Sequence, residues 1–123
     1  MQPSAAPVLV VDDDPHLRRL LAWALEDEGI AVETAADGYE AIARLAQRRP
    51  ALVVLDMGLP GRDGYAVADS LRAAYGGTVP ILVLTADGRA AAKAQRVGAF
   101  AYLPKPFELE ELLAAVQRGL ASG

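Results

Sequence analysis

The chain has no cysteine, so neither a disulfide framework nor a thiolate metal site is available to it. Aromatic residues are scarce at 6%, and with 53% of residues hydrophobic the core must be built from Val, Leu, Ile and Ala. No apolar run approaches the roughly 20 residues that span a bilayer, and the first residues show no basic region, apolar run and cleavage pattern. These absences predict a cytoplasmic protein outside the membrane. A surplus of positive charge is also missing: the net charge is −4, which leaves no basic stripe for neutralising nucleic-acid phosphates. Direct DNA binding is not expected of this chain.

What remains is 123 residues, the size of one compact domain. Residues 1–6 read as a flexible N-terminus and 121–123 as a tail or the start of a linker. Short aliphatic runs recur at Val8–Val11, Ala31–Thr34, Leu52–Leu55 and Ile81–Leu84, with a shorter one near Phe100–Leu103. The first, third and fourth are apolar almost without interruption, as strands covered on both faces require, so the sheet should be mostly parallel. Between the strands the period becomes helical. Leu17, Leu20, Leu21, Ala24 and Leu25 form one stripe; Ala41, Ile42 and Leu45 form a second behind an Asp37 cap; Val67, Leu71 and Ala74 form a third, ended by Gly76 and Gly77. An alanine-rich fourth helix, from about Arg89 to Val97, offers few large apolar groups and should be lightly anchored. The fifth, from about Glu108 to Leu120, carries Leu109, Leu112, Leu113, Val116 and Leu120. Strict alternation over five units predicts a doubly wound α/β fold, a parallel sheet with helices on both faces.

In such a fold the ligand site lies outside the carboxyl ends of the strands. The residues there are strongly patterned: Asp12, Asp13 and Asp14 after strand one, Asp56 after strand three, Thr85 after strand four and Lys105 after strand five. Several carboxylates in one pocket repel one another, and a divalent cation resolves that conflict. Mg²⁺ favours a few carboxylates with retained waters, which suits Asp13 and Asp56 as direct ligands and Asp12 through water. Asp56 is a candidate nucleophile toward phosphorus, Lys105 a fixed cation between Pro104 and Pro106, and Thr85 a hydroxyl donor. Plainer roles are open for each. The Asp12–Asp14 run can cap a helix, Asp56 can open a turn, Lys105 can be a solvated surface charge, and Thr85 can simply be a β-branched strand residue. Asp14 is expected to cap helix one before Pro15, while Asp63 with Gly64 should form the turn into helix three. His16 and Trp23 receive no role.

The segments Val-Val-Asp-Asp-Asp, Leu-Asp-Met-Gly-Leu-Pro-Gly-Arg-Asp-Gly, Leu-Thr-Ala and Tyr-Leu-Pro-Lys-Pro-Phe, in that order, resemble the receiver domains of bacterial two-component response regulators. The resemblance covers essentially the whole chain. It implies a flavodoxin-like fold of strand order 2-1-3-4-5, with Asp56 as phosphoacceptor and Mg²⁺ or Mn²⁺ held by Asp12, Asp13, Asp56 and the backbone carbonyl of Gly58. It also implies a cis Lys105–Pro106 bond, and a switch in which Thr85 moves toward the phosphoryl group and Tyr102 follows, altering the face of helix four, strand five and helix five. Tyr102 can equally be an amphipathic core edge. The partners implied are a sensor histidine kinase or histidine phosphotransfer protein, and an output domain or downstream protein. The activity implied is limited to self-phosphorylation and autodephosphorylation. Position 58 is glycine, which leaves water unobstructed and predicts a short-lived phosphoryl state; Asp87 is the other position expected to tune that loss. A phosphorylation-linked homodimer stays open, but the salt-bridged dimer of the winged-helix class is not expected, because the places of its charged residues hold Phe100, Ala101 and Ala115. Phe100 either serves another partner or packs inward. Two other readings stay open. An aspartyl-phosphate hydrolase would need a general acid where Gly58 stands, and a pseudo-receiver typically lacks one of the residues that this chain retains.

Overall fold

The computed structural model describes residues 6–59 and 63–122. Five strands alternate with five helices: β1 (Val8–Val11), α1 (Pro15–Asp27), β2 (Val32–Ala35), α2 (Gly38–Gln47), β3 (Leu52–Asp56), α3 (Asp63–Tyr75), β4 (Ile81–Thr85), α4 (Ala90–Val97), β5 (Ala101–Pro104) and α5 (Leu109–Ser122). All neighbouring strands are parallel and the order is β2-β1-β3-β4-β5, as expected. Every residue of β1, β3 and β4 is buried, so their uninterrupted apolar runs do reflect cover on both faces.

Alternate strand residues feed two cores. Leu9, Val11, Val53, Leu55 and Val83 face α2, α3 and α4, whereas Val8, Val10, Val54, Leu82 and Leu84 face α1 and α5. Three residues placed on the helix stripes prove exposed: Leu20 at 45%, Ile42 at 37%, and Ala74. Each lies roughly 70 to 90° from the centre of its helix's buried face at about 100° per residue, so periodicity alone over-widened the stripes. β2 and β5 each sit one residue later than expected, because pairing Val11 with Ala35 and Thr85 with Pro104 sets their register. At the C-terminal end α5 continues through Ser122, so residues 121 and 122 are helical rather than tail. Residues 1–5 and 123 lie outside the described residues, as do Pro60, Gly61 and Arg62 within the longest motif.

The local chemistry that places the site is explicit. Asp14 caps α1, its Oδ1 accepting from the N–H of His16 at 2.9 Å and of Leu17 at 3.3 Å, with Pro15 at the first helical position. Asp37 caps α2 through the N–H of Glu40 at 2.8 Å. Asp63 and Gly64 are the first two residues of α3. β3 and β4 both extend one residue beyond their apolar runs, so Asp56 and Thr85 are the last ladder residues, held by the register of the sheet.

Candidate functional site

Asp12 follows β1, Asp56 ends β3 and Lys105 follows β5, and the three side chains meet above the strand ends. Lys105 Nζ donates to Asp12 Oδ2 at 3.0 Å and to Asp56 Oδ2 at 3.3 Å. Its height is set by the backbone, since the Lys105 N–H donates to the Thr85 carbonyl at 2.9 Å, and the Lys105–Pro106 bond is cis. The other carboxylate oxygens are also engaged: Asp12 Oδ1 accepts from the Asp14 N–H and Asp56 Oδ1 from the Gly58 N–H, at 2.9 and 2.8 Å. Arg18 reaches back from α1 to the Asp12 carbonyl at 2.9 Å. Among the described residues, Asp12, Asp13 and Asp56 offer carboxylate oxygens that all lie within 4.8 Å of one another.

The charges do not balance. Asp12 and Asp56 are both buried and share one ammonium, with Asp13 exposed beside them. Burial is the largest influence on Asp56 and pushes its pKa above the usual carboxylate value; the Gly58 N–H and Lys105 pull it down, and the Asp12 charge raises it further. Burial alone would lower Lys105, but its bond to Asp12 and the charges of Asp56 and Asp12 outweigh this and leave its pKa raised. The two partners therefore differ: the lysine gains from the pairing, while Asp56 remains short of positive charge. That deficit, among oxygen donors in an open cluster, fits a hard divalent cation.

Thr85 is buried and its hydroxyl donates to Asp87 Oδ1 at 3.1 Å. Asp87, exposed at the start of the β4–α4 connection, also accepts from the Arg89 N–H at 2.9 Å and pairs with Lys93 of α4. Lys93, then the Arg89 N–H, hold its carboxyl at about 2. Tyr102 stands on the edge strand β5 with 46% of its surface exposed. The structure thus brings Asp12, Asp13, Asp56 and Lys105 together, with Thr85 on the adjacent strand end, and leaves Tyr102 on the surface. Gly58 enters the site through its N–H. The part played by Arg18 and the Asp87–Lys93 pair was not read from the sequence; an acidic residue six before a lysine across a helix start carries no distinctive signal.

A doubly wound 2-1-3-4-5 sheet with an acidic cluster and one lysine at its carboxyl edge defines the class of chemotaxis-regulator-like receiver domains. The chain belongs to the response regulator receiver domain family, whose model matches residues 8–117, and it is the receiver domain of a two-component response regulator. It is 46% identical over 112 residues to response regulator MprA of Mycobacterium sp. (strain KMS), covering 89% of this chain and 48% of that protein. The chain therefore spans about half the length of such relatives. Among solved structures it is similar to chemotaxis protein CheY4 of Vibrio cholerae, with a TM-score of 0.83, 37% identity and coverage of 95% of this chain and 100% of that one. It is likewise similar to the receiver domain of NtrX from Brucella abortus, with a TM-score of 0.84, 35% identity and coverage of 94% and 99%.

Proposed function

We propose that this chain, read as a single receiver domain over residues 1–123, accepts a phosphoryl group on Asp56 from a phosphohistidine of a sensor histidine kinase or histidine phosphotransfer protein in the cytoplasm. The observation that carries this reading is the shared lysine: two buried carboxylates and a third beside them face one ammonium. In the transfer an Asp56 oxygen forms a bond to phosphorus as the P–N bond to the donor imidazole breaks, and the imidazole leaves with its electron pair and takes up a proton. Lys105, already bound to both carboxylates, is placed to follow an incoming phosphoryl oxygen. Mg²⁺ or Mn²⁺ would be held by Asp12, Asp13, Asp56 and the Gly58 carbonyl. When bound, such an ion supplies the positive charge that lets the carboxylate and the anionic phosphoryl group approach.

The donor protein's face is the hollow of about 430 Å³ beside Lys105, walled by Leu17, Leu20, Pro106, Phe107 and Leu109. The exposure of Leu20 gives that face an apolar contact. Thr85 and Tyr102 carry the signal to the α4–β5–α5 surface, from which an output domain or downstream protein reads it. The chain's activity is confined to its own phosphorylation and autodephosphorylation. Any nucleic-acid contact belongs to an output domain, and phosphorylation-linked pairing of two copies would use the same switching face. Intact mass after incubation with acetyl phosphate tests the proposal. A Mg²⁺-dependent gain of about 80 Da in the wild type, absent in Asp56→Asn, is expected. No gain would favour a pseudo-receiver that binds partners unmodified, and an equal gain in the variant would move the acceptor away from Asp56.

A further inference from the structure

A hydroxyl has one proton to donate, and the Thr85 proton is already committed. Thr85 Oγ1 donates to Asp87 Oδ1 at 3.1 Å, so it is unavailable to any phosphoryl oxygen while that bond lasts. Asp87 is itself constrained on two sides: Oδ1 also accepts the Arg89 N–H, and Oδ2 is paired with Lys93, one turn into α4. α4 has Arg89 as its N-cap with no side-chain cap bond, and it buries only Ala90, Ala94 and Val97. Its N-terminal end is thus held largely through Asp87, whereas its C-terminal end is held from α3, where Arg72 Nη2 donates to the Val97 carbonyl at 2.9 Å and Arg96 stacks over Tyr65.

We propose that Asp87 is a positioning residue that, held by Lys93, keeps the Thr85 hydroxyl in its unphosphorylated orientation, so that engaging a phosphoryl group on Asp56 requires the Thr85–Asp87 bond to break. The inference rests on the phosphoacceptor reading above. Breaking that bond leaves Asp87 held only by the Arg89 N–H and Lys93, both on the α4 side, so the α4 N-terminus is loosened from β4 while its C-terminus stays fixed to α3. Thr85 is then coupled to α4 by a direct side-chain chain of two links, independent of Tyr102.

The test is a titration with beryllium fluoride, a phosphoryl mimic that attaches to a carboxylate, in the presence of Mg²⁺ and followed by fluorine NMR. Removing the competitor for the Thr85 proton should tighten binding about three- to ten-fold in Asp87→Ala. Lys93→Met, which leaves the bond from the Arg89 N–H to Asp87 intact, should shift affinity in the same direction. Both gains should vanish when Thr85 is already Ala, because a general electrostatic or folding effect would persist there. Unchanged or weaker binding in both variants, or equal tightening in the Thr85→Ala background, would overturn the inference. If the wild type itself shows no Mg²⁺-dependent binding, the phosphoacceptor reading falls and takes this one with it.

Discussion

At Asp56, burial and the neighbouring Asp12 disfavour the charge that the proposed phosphoryl transfer needs. Because its pKa is raised in the fold, Asp56 contributes stability that is fully present below the unfolded carboxylate pKa of about 3.9 and lost as pH rises through the folded value. At neutral pH without divalent metal, Asp56→Asn should therefore raise the melting temperature by a few degrees, and Mg²⁺ should stabilise the wild type more than the variant; scanning fluorimetry checks both. Lys105 is shifted in the same direction from a much higher starting point, so its stabilising contribution is intact at neutral pH, being present below its unfolded pKa and lost only as pH climbs through the raised folded one. Lys105→Met leaves two buried carboxylates facing each other and should cost about 2 kcal/mol, less than the roughly 3–5 of a fully buried pair, because the lysine side chain remains 23% exposed. Urea denaturation should show that loss shrinking as pH falls toward the range where Asp56 protonates. A loss independent of pH would mean that Lys105 acts by packing alone. Water access at the same carboxylate belongs to Gly58, which is exposed and whose N–H already touches Asp56 Oδ1. The phosphoryl state should decay well within hours, as a time course of intact mass would show.

Helix ends and helix contacts govern the next level. Gly98 ends α4 with φ +70°, and a Cβ there would lie 2.8 Å from Arg72 Nη2, the atom that caps the Val97 carbonyl. Gly98→Ala should cost about 2 kcal/mol, combining left-handed strain with a displaced cap, whereas Gly29→Ala, at φ +80° in open space, should show the strain alone. Chemical denaturation of the two variants separates these contributions. Gly119 of α5 is closer packed still: a Cβ would meet Leu52 Cδ1 at 2.5 Å and the Phe100 ring at 2.6 Å. Phe100 thus packs against α5 while keeping 40% of its surface exposed. Gly119→Ala should cost about 1–3 kcal/mol, since Leu52 has no room to move. The sequence shows Gly119 only as a residue beside the α5 stripe, and the contact depends on what packs opposite it. The elements themselves were readable because uninterrupted β-branched runs and helical stripes are separate periods; the edges of the stripes, at Leu20, Ile42 and Ala74, were not, because burial at a stripe's margin depends on what packs opposite.

For the whole molecule, the strand order came with the family resemblance, whereas the placement of Asp12, Asp56, Thr85 and Lys105 at one edge follows from a topological rule, so the cluster was legible before any contact was known. The charge deficit was legible in kind but not in degree, since only folded geometry shows two buried carboxylates dividing a single lysine. The Thr85–Asp87–Lys93 chain was not legible at all, being a matter of rotamers on a loop and a helix start. The site's edge and the α4–β5–α5 surface lie on adjoining parts of one sheet, so chemistry at the strand ends can bias a thinly packed helix without a large rearrangement. The most direct test is to locate the phosphoryl bond. After phosphorylation with acetyl phosphate and Mg²⁺, borohydride reduces an acyl phosphate to the alcohol, and peptide mass mapping should find homoserine at position 56 and nowhere else. Homoserine at another aspartate, or unreduced Asp56 in protein that has gained a phosphoryl group, would contradict the account.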